Sequence, residues 1–341
     1  MEIKNILVTG SEGYIGTILV DLLIKKGYQV TGLDSCYYSN NRNLKKNYRL
    51  LKKDIRKIDD LDLTCFDAII HLAALSNDPT GELNPKLTKE INYLASIKLA
   101  KRAKKSGVKR FIFSSSCSIY GIAKTGIVNE NSPVNPLTAY AKSKISTEKE
   151  LNKLADKNFC VAILRNSTVF GSSPNFRIDL VVNNLVASGI ALKKIKIMSD
   201  GTPWRPLIDV RDLSQIFIKF LRVESKKINK KIFNIGFSQS NLRVKDIADE
   251  IKKQLPDCQI VFTGEHGPDT KSYHVNFNRF HLLFPKLKQN WLLSKSVKDL
   301  IRRLKNKKFN QQQFQSGKFT RIDVLKNLLD KKKLNSRLYW K

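Results

Sequence analysis

Cysteine is scarce in this 341-residue chain, and the five present, Cys36, Cys65, Cys117, Cys160 and Cys258, are widely spaced with no C-x-x-C pair. An odd number without paired spacing excludes a disulfide framework and a zinc ribbon as sources of stability, and it fits a reducing compartment. Long hydrophobic runs are also missing: none approaches the ~18–20 residues of a membrane-spanning helix. The start, Met1–Gly10, lacks the apolar core of a signal peptide, so a cytoplasmic location is expected. Acidic residues are few, 30 Asp+Glu against 62 Lys+Arg, which leaves a net charge of +32. A field of that size attracts nucleotides, phosphates or anionic polymers over several kT.

What is present is otherwise ordinary for a globular protein. Hydrophobic residues at 41% and charged residues at 27% exclude disordered, fibrous and membrane compositions. At roughly 100–200 residues per domain, the length allows one large or two closely joined domains. From Arg302 to Lys341 there are 13 basic residues against Asp323 and Asp330, but most of the excess charge is spread over the rest of the chain. It is carried by 46 Lys and 16 Arg, whereas base readout in nucleic acid leans on the bidentate arginine fork. The charge therefore reads as solvated lysine-rich faces, and nucleic acid is not the expected partner. The competing reading is a basic binding module, whose affinity would fall steeply with salt.

Short apolar runs alternate with helical patterns through the first two-thirds: Ile3–Val8, Ile15–Lys26, Gln29–Leu33, Asp67–Leu72, Lys86–Lys105, Arg110–Ser115, Tyr140–Leu154 and Cys160–Leu164. Runs apolar on both faces belong to strands buried between helix layers. The spacing predicts an α/β fold, a doubly wound parallel sheet of Rossmann type with a smaller C-terminal substrate-binding domain. The expected boundaries are 1–174 for the sheet domain with return segments near 207–238, 175–304 mainly for the substrate domain, and 305–341 for a polar linker and basic helical tail.

The first strand runs into Thr9-Gly-Ser-Glu-Gly-Tyr-Ile-Gly16, with Gly10, Gly13 and Gly16 around Tyr14 and Ile15. Glycines there permit a tight turn and the close approach of a pyrophosphate, and the next helix turns its N-terminal dipole to that anion. The following strand ends at Asp34, where a carboxylate accepts from the adenosine ribose hydroxyls and repels a 2′-phosphate. That favours NAD over NADP, with Arg42 nearby as the opposing sign. Tyr140 and Lys144 stand at i and i+4 on one predicted helix, so phenol and ammonium share a face. A cation and an oxidised nicotinamide would lower the phenol from its ordinary value near 10 and make Tyr140 a proton-transfer group. Ser116, at a strand end, is placed to bond the same substrate oxygen. His71 and Cys117 read as packing residues. No cluster of metal ligands is present.

With these motifs in order, the chain resembles the extended short-chain dehydrogenases/reductases of the NAD-dependent epimerase/dehydratase family, which act on nucleotide-activated sugars. The likeness rests on the glycine turn, Asp34, Asp54-Ile55-Arg56, His71-Leu72-Ala73-Ala74, Asn92, Ser115–Gly121, Tyr140–Lys144 and Asp200–Arg205. It implies bound NAD held by Gly10, Gly13, Tyr14, Ile15, Gly16, Asp34, Asp54, Ile55, Leu72, Ala73, Ala74, Asn92, Tyr140 and Lys144, catalysis by Ser116, Tyr140 and Lys144, and a homodimer. It further implies a nucleotide-diphosphate sugar bound by Ser118, Asn166, Thr168, Asn183, Asn184, Arg205 and His266, with Lys271 as the other position for the family's second phosphate arginine. The family's dehydratases carry an Asp-Glu pair after the catalytic Ser/Thr, and its decarboxylases a Glu. Cys117 and Ser118 occupy those places, which leaves epimerisation through a transient keto-sugar, or net dehydrogenation or reduction.

Overall fold

The computed structural model describes residues 3–39, 48–263 and 271–341. Five strands, β1 (Asn5–Thr9), β2 (Gln29–Asp34), β3 (Tyr48–Lys52), β4 (Ala68–His71) and β5 (Arg110–Ser116), join Cys160–Asn166 and Lys231–Ile235 in one seven-stranded sheet. Its order is Lys231–Ile235, Cys160–Asn166, β5, β4, β1, β2, β3, and every pairing is parallel. The winding reverses between β1 and β4, so a crevice opens beyond the C-terminal ends of these strands.

Alternation along each strand decides which helices it holds. Ile6 and Val8 pack with Leu19 and Leu23 of α1 (Gly16–Lys25) and with Phe217 of the helix Val210–Arg222. Leu7, between them, faces the opposite layer with Leu99 of the helix Ala95–Lys105 and Leu151 of the helix Ala139–Leu154. A further apolar cluster, including Val186, Ile247 and Leu300, joins the helices Val181–Leu192, Val244–Gln254 and Leu293–Asn306. Beside it, the strand Trp204–Asp209 pairs with Thr168–Phe170 and Asn241–Arg243.

The stretch after 304, expected to begin as a polar linker, is packed. Phe309 is buried, its ring lies 5.6 Å from that of Phe319, and Phe319 O accepts from Ile178 N at 3.0 Å. The helix Arg321–Asp330 follows, and Leu325, Leu334 and Leu338 enter the same apolar layer as Leu7 and Leu33. A few apolar residues in polar surroundings thus anchor the whole segment. All five cysteines are free thiols, and among the described residues no helix is long and apolar enough to cross a membrane.

Candidate active site

The glycine turn is required by backbone contact. Gly10 takes φ +70°, and a Cβ there would stand 2.8 Å from Ala73 N; a Cβ at Gly16 would collide with the Gly10 carbonyl. Without side chains, β1, the turn and the first residues of α1 pack against the end of β4. Gly10, Gly13, Tyr14, Ile15 and Gly16 line one cavity with Leu72, Ala73 and Ala74. Asp34, at the end of β2, lines it too. Its Oδ2 accepts from Glu12 N at 2.9 Å and its Oδ1 from Cys36 N at 2.7 Å. Burial pushes the carboxyl up to about 6, against the opposing pull of those two amides. Asp54 and Ile55 form the adjoining wall, with Asp54 held by Arg56 at 2.7 Å.

The helix Ala139–Leu154 starts where Thr138 Oγ1 accepts from Ala141 N at 3.2 Å, which seats Tyr140 and Lys144 in its first two turns. Both line the cavity, as does Ser116 at the end of β5, whose hydroxyl accepts from Ser118 N at 3.1 Å and acts on the Tyr140 phenol as a polar neighbour. Lys144 is 3% exposed; its Nζ donates to Ser114 O at 2.7 Å and stands 5.6 Å from the Tyr140 ring centre. Burial holds the ammonium down to about 7, with Glu148 one turn on pulling the other way. Burial first and the Asp78 carboxylate second push the Tyr140 phenol up to about 12, opposed by Ser116 and by Arg177. The protein alone therefore keeps Tyr140 protonated, and the cation acting on it is Arg177.

Behind this pair, Glu148 accepts from Ser115 Oγ and holds Arg165 at 2.7 Å, tying the helix to β5 and to the strand Cys160–Asn166. Asn92, expected at the cofactor, lies behind the wall: it accepts from Leu75 N at 2.8 Å and donates to Ser143 Oγ at 3.2 Å, bracing the loop after β4. His71 is buried between Thr9 Oγ1 at 2.6 Å and Ser96 Oγ at 2.7 Å, and burial, then Lys144, push it down to about 3. Cys117 is buried with its thiol pushed up by burial.

Of the residues expected at the substrate, Ser118, Asn166, Thr168 and Arg205 line the cavity. Asn166 Nδ2 donates to Ser114 Oγ at 2.9 Å. Arg205 does not pair with Asp209, which Arg211 holds at 2.7 Å; its Nη1 donates to Trp204 O at 3.0 Å and to Lys271 O. Lys271 lines the cavity, with its Nζ paired to Asp78. Asn183 is turned into the protein, accepting from Gly171 N at 2.9 Å and donating to Arg177 O at 2.8 Å. Asn184, in the same helix, is not among the residues that line the cavity. His266 and Arg42 lie outside the described residues.

Several cavity residues carried no signal in the sequence. Arg177 donates to Asp179 at 2.9 Å and to Ser76 Oγ at 3.2 Å, and Tyr38, Asp78 and Arg321 stand on the same walls. They come from loops and from the far end of the chain, where only three-dimensional closure brings them together. No group of metal ligands occurs among the described residues.

A reversing parallel sheet with a glycine turn, a β2 carboxylate and a Ser/Tyr/Lys set around one crevice defines a dinucleotide-dependent enzyme of the extended short-chain dehydrogenase/reductase class. A profile of the NAD dependent epimerase/dehydratase family matches residues 6–236. The UDP-glucose 4-epimerase of Bacillus subtilis is 30% identical over 259 residues, which are 68% of this chain and 76% of that protein. The UDP-glucose 4-epimerase of Thermotoga maritima, solved with UDP-glucose, superposes with a TM-score of 0.80, and an NAD-dependent NDP-hexosamine 5,6-dehydratase with one of 0.79. These two structures are 24% and 21% identical, and each is matched over 89% of this chain and over 99% and 98% of its own. The chain belongs to the NAD-dependent epimerase/dehydratase family.

Proposed function

We propose that this chain is a nucleotide-sugar epimerase that inverts one sugar carbon through a transient ketone and keeps NAD between turnovers. The observation that carries it is the meeting of Ser116, Tyr140 and Lys144 in the cavity floored by the glycine turn. The residues fit NAD: the turn leaves no room for a Cβ at Gly10 or Gly16, the Asp34 carboxylate faces the cavity, and Ile55 offers an apolar wall for a base. When bound, NAD supplies the acceptor and then the donor of hydride.

Tyr140 takes the proton of the reacting hydroxyl and later returns it to the same oxygen. Ser116, on the same cavity wall as the phenol, orients that oxygen. Lys144, buried and held down to about 7, has its Nζ fixed by Ser114 O. Tyr140 starts protonated even with the pull of Arg177 counted, so turnover needs the further positive charge that an oxidised nicotinamide would bring to the cavity. Arg205 and Lys271 meet the sugar-nucleotide diphosphate, since both line the cavity and carry positive charge. Asn166 and Thr168 contact the sugar nucleotide. Elimination of water lacks an acid at Cys117 and Ser118, of which Cys117 is buried.

Incubating the purified protein with UDP-, dTDP-, GDP- and CDP-sugars and following stereoisomers by NMR tests the proposal. An epimerase converts one donor with no net change in NADH absorbance. A stoichiometric absorbance change identifies a net dehydrogenase or reductase, and no turnover of any donor overturns the reading. A homodimer in a reducing cytoplasm is the setting we propose; light scattering of the purified chain reports the subunit number.

A further inference from the structure

The C-terminal segment closes over the cofactor end of the cavity, beyond the stretch that the family profile matches. Trp340 Nε1 donates to Ser35 O at 2.6 Å, Tyr37 Oη donates to Leu338 O, and Arg56 Nη2 donates to Arg337 O at 2.9 Å. The Tyr339 ring centre lies 3.8 Å from the Arg56 guanidinium. These contacts are made to residues one to three positions after Asp34 and Asp54.

At the other end of the segment, the helix Arg321–Asp330 begins at the cavity wall. Arg321 is 4% exposed; its Nη2 donates to Asn175 O at 3.2 Å and its guanidinium stands 4.2 Å from the Tyr38 ring centre. Asn175 donates in turn to Glu12 O, inside the glycine turn. Arg321 thus lies across the turn, within the fields of Asp34, Asp179 and Arg177. Burial first and Arg177 second hold its guanidinium down to about 10, the two aspartates acting in the opposite sense. Arg177 is already paired with Asp179 at 2.9 Å; Arg321 adds a second forked cation to the same wall, and an anion with several oxygens, such as a diphosphate, offsets that added charge.

We propose that Arg321 is a cofactor-binding residue delivered by the C-terminal segment: with Arg177 it grips the diphosphate of NAD, and the Trp340 contact latches the strap in place. The inference rests on the reading that this cavity takes NAD.

The test is NAD+ and NADP+ binding by full-length protein stripped of nucleotide, followed by calorimetry, with melting temperature as the check on folding. Arg321→Met keeps the apolar stem and removes the charge; its NAD+ Kd is expected to rise about ten- to a hundredfold, the worth of a charge-assisted hydrogen bond. Arg321→Lys, which keeps the charge and loses the fork, is expected to weaken NAD+ less than Arg321→Met. Trp340→Ala, at a partly exposed site, is expected to weaken NAD+ about two- to tenfold through the lost neutral bond. Failure of the unaltered protein to bind NAD+ would overturn the cavity reading itself. Binding by the unaltered protein with no change in Arg321→Met overturns only the role of Arg321. Equal weakening in the Met and Lys variants with a lowered melting temperature overturns it too, as does a loss confined to NADP+, which would put Arg321 on a 2′-phosphate. Should Arg321→Met fail to fold, an unaltered NAD+ affinity in Trp340→Ala overturns the strap.

Discussion

Replacing Lys144 with Met should make the nucleotide-free protein more stable while removing its activity, and the gain should depend on pH. Lys144 is 3% exposed and its ammonium is held down from 10.5 to about 7 by burial. The folded pKa lies below the unfolded one, so between these values the unfolded chain binds more protons and stability rises with pH. At pH 7 the buried lysine costs the fold about 4 kcal/mol, falling to about 1.5 kcal/mol at pH 9.5. Methionine removes that cost but leaves the Ser114 carbonyl without its 2.7 Å donor, a loss of about 1–3 kcal/mol. The variant should therefore be about 1–3 kcal/mol more stable at pH 7 and lose that advantage by pH 9.5. Urea unfolding of both proteins across this range measures the difference, in which the other titrating groups, the buried cysteines included, cancel. A difference that stays constant with pH would refute the depressed ammonium and with it the argument that burial tunes this pair.

Tyr140→Phe should leave NAD+ affinity nearly unchanged and slow turnover by about 10²–10⁴, the usual worth of a positioned proton-transfer group; kcat and NAD+ titration separate the two. Asp34 is pushed up to about 6 by burial, so its carboxylate is lost as pH falls through that value. NAD+ affinity should weaken from pH 7.5 to 5, and Asp34→Asn should abolish that dependence in a binding titration. Leu325 is fully buried in the layer shared with Leu7. Leu325→Ala should cost about 2–5 kcal/mol by leaving a cavity, read by denaturant unfolding, and should expose the segment after Gly317 to limited proteolysis.

The parts legible in the sequence were those whose physics is local. The glycine turn, Asp34 at a strand end, and Tyr140 four residues from Lys144 announce themselves because strand, turn and helix periods fix where each side chain goes. The buried parallel sheet is legible from runs apolar on both faces, though its strand order is not. Arg177 and Asp78 were not legible: each sits in a polar loop or a short helix, and its place in the cavity depends on closure between distant elements. Asn92 and Asn183 matched the expected positions in sequence, yet their amides are engaged by Leu75 and Gly171 as braces. The stretch after 304 misled for a compositional reason: glutamines and lysines around Phe309, Phe314 and Phe319 read as solvated chain, although those rings pack inward. The height of the Tyr140 phenol in the protein alone was not legible either, since it is set by burial, which the sequence pattern does not report.

The placement of Leu325, Leu334 and Leu338 also bears on how the protein is made. They complete a layer whose other members, Leu7 and Leu33 among them, leave the ribosome first. A nascent chain would hold that layer unfinished until Leu338 has emerged, with apolar surface open to chaperones or to neighbouring chains. Premature termination near residue 320 would release a polypeptide with its sheet strands and flanking helices present and one patch of that layer uncovered.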